Sequence, residues 1–127
     1  MFFFLMIRRP PRSTLDRSSA ASDVYKRQLR IASEGARAGC HEALFTLGEA
    51  PEERYEVARN WLRSNGYDST VHLLHAMADL VLTETGLLPH AHARALSEEE
   101  LPLLAAVAPS QGMMVETPRD APTGHRG

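Results

Sequence analysis

Apolar residues gather in three short runs, each closed by glycine, histidine or a carboxylate, and the stretches between them repeat with helical spacing. The first run is Ala43 to Leu47 within Cys40-His-Glu-Ala-Leu-Phe-Thr-Leu-Gly-Glu49. Runs of this length between turn residues read as buried strands, and Gly39 and Gly48 favour that over a buried helical segment. Leu87-Leu88-Pro89-His90 reads as a second strand, leading into His92 and Arg94, and Gly112 to Glu116 as a third.

Upstream of the first strand, Leu29, Ala32 and Ala36 share one helical face, and Gly39 caps it. After the strand, Pro51 suits a first helical position, and Glu52 and Glu53 suit the positive end of that helix's dipole. Tyr55, Ala58, Trp61 and Leu62 form its apolar stripe before Asn65-Gly66 stops it. Asp68 or Ser69 can cap the next helix, which turns Val71, Leu74, Ala78 and Val81 inward, widened by Leu73, Met77 and Leu80 and ended by Gly86. Ser97 and Glu100 form a capping box before Leu101, Leu104 and Val107, where Pro102 predicts a short or kinked helix.

The order is helix, strand, two helices, strand, helix, strand. Strands separated by helices pair in parallel through right-handed crossovers. The fold class is therefore α/β, with about three parallel strands and covering helices. All three strands end in polar residues, like the rim of a β/α barrel, but a closed barrel takes about 250 residues. The sheet is expected to be unclosed.

Composition adds little until it is divided along the chain. The formal charge is −2, yet residues 1–28 carry six basic and two acidic side chains, and residues 29–127 eight and fourteen. The single cysteine, Cys40, excludes an intramolecular disulfide and suits a reducing compartment, so a cytoplasmic location is expected. Residues 1–28, MFFFLMIRRPPRSTLDRSSAASDVYKRQ, place an apolar run before the basic residues, the reverse of a secretory signal, and the run is too short to span a membrane. The segment resembles a peptide translated from sequencing-adapter DNA, through FFFLMIRRPPRSTL and SSAASDVYKRQ. It is read as an artefactual, disordered leader. Residues 118–127, rich in Pro, Gly and charge, are read as a disordered tail.

Candidate chemistry is sparse on spacing alone. In a strand–turn–helix unit of a parallel sheet, ligands collect at the carboxyl end of the strand, here Gly48-Glu49. His72 and His75 lie three apart on a helix, and His90 and His92 two apart on a strand, which turns both rings to one face. Each pair supplies two ligands where a metal site needs three or four. No glycine-rich phosphate loop, Ser-His-Asp signature or basic-aromatic nucleic-acid surface appears, so neither a nucleic-acid nor a membrane partner is expected.

The runs EALFTLGE, GYDST, ETGLLPH and VAPSQGMM carry a resemblance to a known family. Residues 29–117 resemble part of the lyase module of the FO synthases, radical S-adenosylmethionine (SAM) enzymes that form the deazaflavin chromophore of coenzyme F-420. The resemblance implies a TIM-type radical SAM barrel and a substrate formed from tyrosine and a ribitylaminouracil, closed to a ring with loss of ammonia. It further implies a [4Fe-4S] cluster that reduces SAM to a 5′-deoxyadenosyl radical. Gly48 and Glu49 match the family's Gly-Glu that holds the SAM amino group, preceded by Thr46 and Leu47. Because polar groups at the end of the family's fourth strand commonly face the same ligand, the resemblance makes Glu116 a further candidate. The family's C-x-x-x-C-x-x-C cluster motif has no counterpart here. Cys40 does not correspond to a ligand, and one thiolate cannot hold a cluster. This chain is therefore expected to be an inactive fragment lacking the remaining barrel strands. The alternatives are a standalone α/β interaction module and a zinc module built on His72, His75, His90 and His92.

Overall fold

The computed structural model describes residues 2–6, 17–47 and 50–113, with residues 2–6 and 17–22 followed by their backbone. A four-stranded sheet forms the centre: β1 (Phe2–Met6), β2 (Glu42–Thr46), β3 (Leu88–His92) and β4 (Ser110–Gly112). All neighbours pair in parallel, and the order in space is the order in the chain. Between the strands run α1 (Arg17–Arg37), α2 (Pro51–Arg54), α3 (Glu56–Ser64), α4 (Thr70–Thr85) and α5 (Glu100–Ala105). The α/β class, the parallel strands after residue 40 and the open sheet agree with the sequence pattern.

The caps explain where the helices start and stop. Gly39, Gly66 and Gly86 all take positive φ, the left-handed conformation that ends a helix at little cost in glycine. Ser69 caps α4, its Oγ accepting from the His72 backbone N–H at 3.3 Å. The Ser97–Glu100 capping box forms in both directions: the Glu100 N–H donates to Ser97 Oγ at 3.2 Å and the Ser97 N–H to Glu100 Oε2 at 2.9 Å.

The core lies between the sheet and the helices on one face. Phe45 and Ala43 of β2 and Pro89 and Ala91 of β3 are buried there with Val71, Leu74, Ala78 and Val81 of α4, Ala32 of α1 and Leu104. Trp61 packs against this cluster as a half-buried flank, in keeping with its place in the helical stripe.

Four details depart from the sequence pattern. First, β1 and the opening of α1 lie within residues 1–28, where no element is predicted. A continuous apolar run without alternation is the signature of a parallel strand rather than of none. From Ser13 to Glu34 no Pro or Gly interrupts helix formation, and Gln28 is buried. Second, the helix after Pro51 is broken at Tyr55, whose backbone is extended and whose side chain is exposed rather than part of the stripe. The Arg59 guanidinium meets one carbonyl at the break, donating to Glu52 O at 3.0 Å. Third, the Glu52 carboxylate reaches across to α4, where Oε1 accepts from the Thr70 N–H at 3.1 Å and the Thr70 hydroxyl at 3.0 Å. It therefore serves a neighbouring helix's start as well as its own. Fourth, the last described strand is Ser110–Gly112, beginning two residues before the expected Gly112–Glu116, of which residues 114–116 lie outside the described residues; Ser110 and Gly112 lie in register with His90 and His92. The tail 118–127 lies outside the described residues.

Candidate functional site

Strand alternation gives this sheet two chemically different faces. On the face away from the core, β2 presents Glu42, Leu44 and Thr46, and β3 presents Leu88, His90 and His92. The register stacks these residues in rows: Leu44 beside His90 beside Ser110, then Thr46 beside His92 beside Gly112. The second row sits at the carboxyl ends of the strands, and the ladder continues one step further as the Leu47 N–H donates to His92 O at 3.2 Å.

Within these rows the imidazoles are held rather than loose. His90 Nδ1 and Ser110 Oγ share a hydrogen bond of 2.6 Å, and the His90 and His92 rings lie 6.3 Å apart, tilted by 38°. Gly112 closes the row beneath them. A methyl group there would lie 3.2 Å from His92 Cδ2, 3.4 Å from His90 Nε2 and 3.7 Å from His92 Nε2. Just past His92, the Arg94 guanidinium forms a two-pronged pair with Glu100 at 2.8 and 3.1 Å. Burial pushes the Glu100 carboxyl up, but the Ser97 backbone N–H and Arg94 outweigh it and hold the group below its ordinary value.

Of the residues singled out from sequence, the structure places Thr46 on this open face, half-buried, in the terminal row. Gly48, Glu49 and Glu116 lie outside the described residues. The described chain resumes at Ala50, which is buried and takes φ of 30°, a left-handed conformation uncommon outside glycine. Pro51 then sets the first turn of α2.

The expectation that His90 and His92 share a face is met. The four histidines of the zinc alternative do not converge: His72, exposed near the start of α4, hydrogen-bonds Ser69 Oγ at 2.8 Å, and among the described residues no three His, Cys, Asp or Glu side chains group as metal ligands. Cys40 is buried before β2, at the amino-terminal end of the sheet and opposite the row of Thr46 and His92. Sequence reasoning missed Ser110. Nothing in a serine twenty residues away from His90 announces the pairing; only strand register brings them together.

A parallel α/β sheet with polar groups at its carboxyl strand ends, covered on one face, defines an α/β fold of the kind that takes small ligands at those ends. No family model and no solved structure matches the chain. Curated relatives are closer: it is 56% identical over 89 residues to FO synthase of Mycobacterium leprae, covering 70% of this chain and 10% of that protein. FO synthase of Nocardia farcinica is 54% identical over the same coverage. The 7,8-didemethyl-8-hydroxy-5-deazariboflavin synthase of Methanopyrus kandleri is 34% identical over 113 residues, 89% of this chain and 33% of that protein. The chain is homologous to FO synthases, of which it spans a tenth to a third of the length. No helix among the described residues is long and apolar enough to cross a membrane.

Proposed function

We propose that the chain is a segment of an FO synthase acting as a radical SAM carbon–nitrogen lyase on a tyrosine–ribitylaminouracil adduct. The identity of 54–56% to proteins named FO synthase carries the reading. The matched length, 89 residues, equals that of residues 29–117, the segment assigned to the barrel; the Methanopyrus kandleri match is longer and runs into the flanks. The leader and tail are proposed to contribute nothing to catalysis.

The residues present do not fit the [4Fe-4S] cluster. The lone thiol, Cys40, is buried at the wrong end of the sheet, and a cluster needs several thiolates. No step is therefore assigned to the cluster here, and the isolated chain is proposed to be inactive. The residues proposed to hold the amino-acid end of SAM are Thr46, Gly48, Glu49 and Glu116; SAM, once reduced by a cluster, would supply hydrogen-abstracting chemistry. In this reading Glu49 would offer a carboxylate to the SAM ammonium group, Thr46 a hydroxyl and Glu116 a second carboxylate, and a glycine at 48 would permit close approach.

Glu49→Gln in a full-length enzyme with its cluster loop tests this. A charge-assisted hydrogen bond is worth about 1.5–3 kcal/mol, or roughly 10- to 150-fold in affinity. Calorimetry should show SAM binding weakened at least tenfold with the melting temperature unmoved. Unchanged SAM affinity with lowered stability would make Glu49 a helix-start residue and overturn the assignment.

A further inference from the structure

The open face holds a convergence that the SAM-binding residues do not use. His90 and His92 project from alternate positions of β3, and the missing side chain of Gly112 leaves a space bordered by both rings. Both Nε2 atoms lie within 3.7 Å of the point a Gly112 side chain would fill. The other nitrogen of His90 is engaged by Ser110 Oγ, which fixes the ring and leaves Nε2 directed elsewhere. Half-buried imidazoles on the sheet face away from the described core are poor packing and good hydrogen-bonding groups.

We propose that His90 and His92 form the substrate-contacting wall of the site, hydrogen-bonding oxygen atoms of the polar heterocyclic substrate seated over Gly112, with Ser110 as the positioning residue for His90. The assignment rests on the functional reading above and adds to it the residues that grip the substrate rather than SAM. A neutral imidazole whose Nδ1 accepts from the serine hydroxyl presents Nε2–H, a donor to a carbonyl or hydroxyl oxygen. The glycine is part of the wall, because any side chain would take the space in which the ligand atom sits.

The test uses the full-length enzyme carrying this segment, with the adduct as probe. Calorimetry should show that His90→Gln and His92→Gln each weaken adduct binding at least tenfold and leave SAM binding unchanged. Gly112→Ala, which removes no polar group, should weaken adduct binding comparably. Ser110→Ala should weaken it less than either histidine change, and Ser110→Thr, which keeps a hydroxyl beside His90 Nδ1, should restore it. Melting temperatures within a few degrees of the parent enzyme confirm folded variants. Should a histidine variant unfold, the Gly112→Ala result decides. Adduct affinity unchanged in the histidine and glycine variants would overturn the inference while leaving the function intact. A parent enzyme that binds and converts no adduct would overturn the functional reading itself.

Discussion

The two faces of the sheet are built from the same strands and obey opposite rules. On the covered face Ala43, Phe45, Pro89 and Ala91 are all buried to within 2% of complete exclusion from solvent. On the other face the neighbours one residue away, Leu44, Thr46, His90 and His92, are half-buried, and Leu88 is 47% exposed. Parallel sheets are ordinarily covered on both faces and read as continuous apolar runs. Here β3 reads Leu-Pro-His-Ala-His, apolar and polar by turns from Pro89 onward. Alternation in a parallel strand marks a face reserved for something other than a second helix layer, and in a β/α barrel that face lines the interior.

Truncation should separate the faces most sharply. Phe45→Ala removes a fully buried ring from the covered face and should cost about 3–5 kcal/mol. Leu44→Ala, next door on the open face, should cost about 1 kcal/mol or less. Urea denaturation of the two variants measures the difference, and equal losses would show that the open face is packed after all. A smaller contrast lies in the helix layer. Glu52→Ala strips the partner from the Thr70 N–H and hydroxyl and should cost about 1–3 kcal/mol, whereas exposed Glu53→Ala should stay within about 0.5 kcal/mol.

The smallest effect concerns the loop after β3. Because the folded Glu100 carboxyl titrates below its ordinary value of 4.5, its contribution is fully present above that pH. It is lost as pH falls from there through the lowered folded value. Glu100→Gln should therefore flatten the acid limb of the stability profile below about pH 4.5 and leave its upper limb parallel to wild type. An unchanged acid limb in thermal melts would show that the Ser97 N–H and Arg94 contacts of Glu100 contribute nothing.

Local chemistry was legible wherever the partners are close in sequence. The glycine stops, the Ser69 cap, the Ser97–Glu100 box, the buried face of α4 and the shared face of His90 and His92 all follow from spacing. What failed depended on distance or on absence of pattern. Glu52 looked like a dipole partner for its own helix because Thr70 is eighteen residues away. Ser110 was silent for the same reason. Tyr55 fits a helical stripe by period, yet the chain breaks there. Phe2–Met6 lacks alternation, and its pairing with β2 comes from register alone. On the open face, the shared side of His90 and His92 was readable in advance; the approach of Ser110 and Gly112 to them required the sheet.

The strand order has a consequence for how such a sheet comes into being. Because position in space follows position in the chain, no strand has to be threaded between two that are already paired. Each βα unit can dock as it leaves the ribosome, against an edge completed moments earlier. Among the described residues each new strand adds at the edge formed by the one before it, and β4 ends the order. Synthesis and assembly then run in one direction, like courses of brick laid along a curved wall.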